Sequence, residues 1–126
     1  MFGRMDAASV VEAFFNLMQA LRWRDAEDLL AEDIHVEYTA TGERFDGRAF
    51  LAINEAYPDG WSLEVVDTIA AGERASAQVV VRQGAEIFWC AGFYTVRDGQ
   101  ITHGVEHWVT EGSETPPEWR RRFTSS

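Results

Sequence analysis

The sequence predicts an α+β domain in which three N-terminal helices pack on one face of a curved antiparallel sheet, with an internal apolar pocket between the layers. Three observations predict it. Apolar residues between positions 6 and 57 recur mainly at helical spacing, residues 61–110 fall into four β-rich runs, and the breaks between those runs are short enough only for hairpins. The 126 residues fit one domain, which buries roughly two thirds of the surface its unfolded chain exposes. Its core is expected over about residues 6–110, and residues 111–126 read as a C-terminal tail.

In DAASVVEAFFNLMQAL, the residues Val10, Val11, Phe14, Leu17, Met18 and Leu21 lie on one helical face. Asp6 or Ser9 caps its start, and Ser9 with Glu12 fits a capping box. A second, short helix follows in RDAEDLLAED, where Ala26, Leu29 and Leu30 form a narrow apolar stripe. IHVEY then alternates as a strand, with Ile34, Val36 and Tyr38 on one face and His35 and Glu37 on the other. The turn-rich TATGERFDG ends it. Asp46 caps a third helix, GRAFLAINEAY, which Pro58, Asp59 and Gly60 terminate.

From Trp61 the pattern changes. WSLEVVDTIA, RASAQVVVR, EIFWCAGFYTVR and QITHGVEHWVT are strands separated by AGE, QGA and RDG, which makes an antiparallel meander. Pro116 and Pro117 forbid the tail from continuing the sheet.

The formal charge is −10 and every cation is an arginine. Such a chain repels phosphate backbones and anionic lipid surfaces, which argues against nucleic acid and membranes as partners. Cys90 is the one cysteine, so no internal disulfide forms, in keeping with a reducing cytoplasm. The N-terminal MFGRMDAASVVEAFF carries charges where a signal peptide needs an unbroken apolar core, and no run of about 18 apolar residues occurs. A soluble, cytoplasmic protein is expected.

The order of helices, together with LLAEDIHVEY, FDGRAFLA and VRDGQITHGVEHW, resembles the nuclear transport factor 2-like superfamily, in particular its SnoaL-like (polyketide cyclase) and ketosteroid isomerase-like branch. The likeness spans about residues 8–110. It implies a cone-shaped fold whose sheet is mixed at the first strand, an apolar pocket at the mouth and a homodimer formed through the sheet. Ketosteroid isomerase-like members use an aspartate base with a tyrosine and a neutral aspartic acid in the oxyanion hole. Aligned with this chain, the base falls on Tyr38 and the oxyanion tyrosine on Phe14. With a one-residue gap at RDG, the second acid falls on Gly92. The aspartate that follows the EHW-like motif of the cyclases is replaced by Val109. The resemblance thus implies the fold without either orthodox chemistry.

His103 and His107 stand four apart, which on a helix would serve one metal ion. In a strand they lie roughly 13 Å apart and cannot share one, so no metal is expected. Hydrophobicity alone turns Ile101, His103, Val105 and His107 inward, whereas the resemblance turns Gly104, Glu106 and Trp108 into the cone, and the latter is adopted here. A glutamate in an aromatic cavity would have a raised pKa and serve as acid or base. Against this stands an ion pair with Arg82 or Arg44, or exposure at the strand end.

Tyr38 would orient a carbonyl or hydroxyl through its OH, or be a core tyrosine. Tyr94 shares a face with Cys90 and Gly92, and Gly92 either leaves room for a ligand or bends the sheet. Cys90 has no neighbouring cation to activate it and reads as a small core residue. Arg120, Arg121 and Arg122, beside Trp119 and Phe123, fold back along the body or reach a partner subunit. Glycine-rich phosphate loops are absent from the sequence.

The candidate catalytic residues are therefore Glu106 and Tyr38, and the candidate pocket wall is Phe14, Met18, Tyr38, Tyr57, Cys90, Gly92, Tyr94, Gly104, Glu106 and Trp108. Three functions fit: a cofactor-independent isomerase, dehydratase or cyclase acting on an apolar metabolite, a non-catalytic binder of apolar ligands, and a dimerising accessory module. Fold alone does not choose among them.

Overall fold

The computed structural model describes residues 6–125. Helices α1 (Ala7–Gln19) and α2 (Trp23–Glu27) precede strand β1 (Leu30–Tyr38), then β2 (Glu43–Asp46) and helix α3 (Gly47–Ala56). Strands β3 (Trp61–Ala71), β4 (Arg74–Gln83), β5 (Glu86–Arg97) and β6 (Gln100–Thr110) follow, and a short 3₁₀ helix spans Glu118–Phe123. The six strands form one open sheet in the order β2-β1-β6-β5-β4-β3. Only the β1–β6 pair is parallel; the other pairs are antiparallel. The predicted α+β architecture, mixed at its first strand, is the observed one.

Helix α1 forms because Asp6 accepts a hydrogen bond from the Ser9 N–H at 2.7 Å and an apolar face follows it. Of the two expected caps, Asp6 is the one used. Val10, Val11, Phe14, Phe15 and Met18 of that face are buried against the sheet. Leu21 lies beyond the helix end, in a left-handed conformation, and is exposed rather than part of the stripe. Asp46 caps α3 as expected, accepting from the Ala49 N–H at 2.8 Å.

Two boundaries differ from expectation. The second helix stops at Glu27, and Leu30–Asp33 belong to β1, where Leu30 and Ala31 are buried. The apolar residues at positions 29–31 suit a strand as well as a helix, and pairing with β6 decides for the strand. The stretch read as a loop after Tyr38 contains β2, which folds back on β1 and pairs His35 with Asp46 and Tyr38 with Glu43.

The β5–β6 connection is the Asp98–Gly99 turn, with φ of 54° and 77°. Positive φ at both positions is the type I′ geometry that matches the strand twist, and glycine adopts it without strain. A register irregularity between Thr95 and Val96 lies within a few residues of this turn. It changes which face β6 presents. Ile101 is buried although His103 and Val105, its alternation partners, are not. Gly104 and Glu106 are buried, so the inward face is the one the resemblance indicated.

The core lies between α1, α3 and this inner face. None of the described helices is long and apolar enough to cross a membrane. Of the charges read above against a leader, Arg4 lies outside the described residues.

Candidate active site

The chemistry of the inner face follows from the β5–β6 register. Cys90 stands opposite Trp108, Gly92 opposite Glu106, and Tyr94 opposite Gly104, so each large side chain faces a small one across the ladder. The Tyr94 ring lies back along its own strand over Gly92. A Cβ at Gly92 would overlap the Tyr94 ring and hydroxyl, and one at Gly104 would come 3.1 Å from the ring. Gly92 therefore makes room for Tyr94 itself rather than for a ligand. The result is a hydrogen bond from the Tyr94 hydroxyl to Glu106 Oε2 at 2.6 Å.

Glu106 is the one buried charged residue of the described chain, with 1% of its surface exposed. Its other oxygen, Oε1, accepts from Trp108 Nε1 at 3.0 Å. Among the described residues no arginine holds it: Arg44 sits on Glu37 at 3.8 Å and Arg82 on Glu64 at 3.6 Å. Burial raises the Glu106 pKa above the ordinary carboxylate value, and the two donated hydrogen bonds oppose that rise. Neither the ion pair nor the exposure weighed from the sequence applies.

Glu106 opens onto a cavity of about 340 Å³ between sheet and helices. Phe15, Trp23, Tyr38, Phe50, Tyr57, Trp61, Phe88 and Trp108 make up half of its lining. Met18, Ile53, Leu63 and Val81 add apolar surface, and Asn54 and Thr41 add polar atoms. Among the described residues, Glu106 is the only acid on this wall, and no arginine or histidine joins it. Such a cavity, largely apolar with a few convergent polar groups, is the usual form of a small-molecule site.

Tyr38 is the parallel-strand partner of Glu106 and shares the cavity with it. Its ring packs edge-on against Phe45, Phe50 and Trp108 at centroid distances of 4.9, 6.4 and 6.5 Å. Burial first, and the Glu106 carboxyl second, push its phenol above the ordinary range. A phenol raised in this way favours its protonated form. Asn54 interacts with this phenol and donates a hydrogen bond to the Phe50 carbonyl at 2.8 Å.

Of the expected wall residues, Met18, Tyr38, Tyr57, Glu106 and Trp108 line the cavity. Phe14, Cys90, Gly92, Tyr94 and Gly104 do not; they form the layer behind it. Phe14 stacks on Phe50 at 5.8 Å in the core. Cys90 is buried, and burial pushes its thiol up, away from any nucleophilic role. Sequence reasoning missed Phe15, Phe50, Asn54, Trp61 and Phe88. Phe88 was within reach, since it lies two residues from Cys90 on the same strand face. Asn54 carries no such signal, because its neighbour Tyr38 comes from another element.

The histidines lie away from this cavity. His107 sits on the outer face, with Nδ1 2.7 Å from Thr39 Oγ1, and His103 pairs with His35 across β1. Trp119 and Phe123 are 69% and 68% exposed, each beside the guanidinium of Arg120 or Arg122. The arginine run therefore does not fold back along the body.

Comparison with known proteins agrees with this architecture. A search among curated proteins found no significant match. A protein provisionally named ketosteroid isomerase from Kribbella flavida is 28% identical, with a TM-score of 0.85 over 95% of this chain and 88% of that one. An LEH-like epoxide hydrolase from M. tuberculosis is 23% identical, with a TM-score of 0.68 over 82% of each chain. A protein provisionally named polyketide cyclase from Xanthomonas campestris, also 23% identical, gives 0.66 over 82% of this chain and 90% of that one. The family model of the SnoaL-like domain matches residues 11–104, and the chain belongs to that family.

Proposed function

We propose that this protein is a cofactor-independent acid/base catalyst, of isomerase, dehydratase or cyclase type, acting in the cytoplasm on an apolar small molecule. One observation carries the reading: a carboxyl group, 1% exposed and without a cationic partner among the described residues, opens onto an apolar cavity. Burial raises the pKa of this group above the ordinary carboxylate value, which is the direction that suits a group that both gives and takes a proton. Tyr38 supplies a hydroxyl donor on the same wall. The ketosteroid isomerase positions hold Tyr38, Phe14 and Gly92, none of which is a carboxylate, so the proton must be handled from β6 instead.

A second reading has its own support. Both Glu106 oxygens already accept hydrogen bonds from the protein, an anchorage that suits a binder without turnover. Thermal-shift screening of apolar carbonyl and polyol compounds, followed by turnover assays with Glu106→Gln and Tyr38→Phe, separates the two. Loss of a general acid/base group is expected to lower turnover by roughly 10²–10⁴-fold in Glu106→Gln. Unchanged turnover in both variants would sink the catalytic assignment, and binding without turnover supports the binder.

We further propose that two copies pair through the outer sheet face. Phe93, Val109 and Ile69 of that face are 44%, 59% and 67% exposed, which is an apolar surface fit to be covered.

A further inference from the structure

We propose that the cavity binds an apolar amine, held as an ammonium ion against the Glu106 carboxylate. The inference rests on the reading of this cavity as a ligand site and names the chemical class of ligand. Its first support is the hydrogen-bonding shell of Glu106. Trp108 Nε1–H can only donate, and the Tyr94 O···O distance of 2.6 Å lies in the range of a hydroxyl donating to a carboxylate. Both bonds favour the anion, against the burial that disfavours it.

What the shell lacks is a positive charge. Arg44 and Arg82 are engaged with Glu37 and Glu64, and among the described residues no cationic side chain lines the cavity. A buried carboxylate with no cation is costly, so the missing charge is the ligand's to supply. A carbonyl or hydroxyl compound leaves it unsupplied. A carboxylate or phosphate ester is repelled by Glu106 and by a chain of net charge −10.

The walls suit the same ligand. Trp108, Tyr38 and Phe50 pack on one another in the cavity wall that also holds Glu106, and aromatic rings attract ammonium ions most where water is excluded. The rest of the cavity offers apolar surface for a hydrocarbon body, and about 340 Å³ accommodates a compact polycyclic one. The proton balance closes within the pair. An amine entering as the free base takes its proton from the Glu106 carboxyl, whereas one entering as ammonium displaces that proton to water. Either route ends with one carboxylate and one ammonium.

The test uses three probes of one shape: 1-adamantylamine, 1-adamantanol and adamantane-1-carboxylate, titrated calorimetrically into the wild type and Glu106→Gln at neutral pH. The amine is expected to bind the wild type at least tenfold more tightly than the alcohol, and the carboxylate not at all. In Glu106→Gln that tenfold preference disappears while alcohol binding persists. Alcohol binding that equals amine binding in the wild type overturns the amine proposal and leaves the pocket reading intact. Failure of all three probes to bind the wild type overturns both. The wild-type comparison decides even if Glu106→Gln does not fold, and an amine preference that survives in a folded Glu106→Gln removes Glu106 from the account.

Discussion

At Glu106, burial raises the carboxyl pKa while Tyr94 and Trp108 pull it back, so its neighbours set how readily it holds a proton. Tyr94→Phe removes one of the two donors that favour the carboxylate. The Glu106 pKa is then expected to rise further, as followed by carbon NMR titration of its side-chain carboxyl; an unchanged or lower value would contradict the role given to Tyr94. The sign of the stability effect follows from linkage. Between the ordinary value of 4.5 and the raised one, the native chain holds a proton that the unfolded chain has released. Stability from this group is full below the ordinary value and is lost as pH rises through the folded one. Glu106→Gln does not titrate, so its urea midpoint should gain on that of the wild type as pH rises from the ordinary value of 4.5 through the raised one. Gly92→Ala places a methyl group in the Tyr94 ring, and unfolding measurements should show a loss on the order of 1–3 kcal/mol.

Among the elements, α3 connects stability to the cavity, because it carries Phe50, Ile53 and Asn54 on the wall. Asp46→Ala removes its cap and is expected to cost about 1 kcal/mol, with ligand affinity falling alongside, as thermal melts with and without ligand would register. The helices α1 and α3 and the four-strand meander were legible in the sequence, since strong periodicity, caps and the Asp98–Gly99 turn all agree there. The start of β1 was not, because Leu29, Leu30 and Ala31 satisfy two periods at once. Strand β2 was hidden among turn residues, and only its pairing with β1 makes it a strand. In the site, alternation along β6, given its inward face by the resemblance, puts Glu106 beside Trp108. The Tyr94–Glu106 bond depends on which residue of β5 stands opposite which of β6. One strand's pattern does not contain that register.

For the whole molecule, pairing through the outer face predicts that Phe93→Glu shifts sedimentation from dimer to monomer, with the fold intact by circular dichroism. Each copy carries −10, so added salt should strengthen the dimer by screening that repulsion. The parallel β1–β6 pair has a consequence for folding. It joins the two halves of the chain: the Gln100 side chain bonds the Leu30 carbonyl, 70 residues away. Hairpins with short turns form from local contacts, whereas this pair must first meet the entropy of closing a long loop. Pulsed hydrogen exchange should therefore protect the Val79 and Cys90 amides of the meander before that of Val36 in β1. Tyr38 reaches Glu106 only in that last step, so ligand binding appears late in folding, and a chain halted before it leaves Glu106 in water as an ordinary acid.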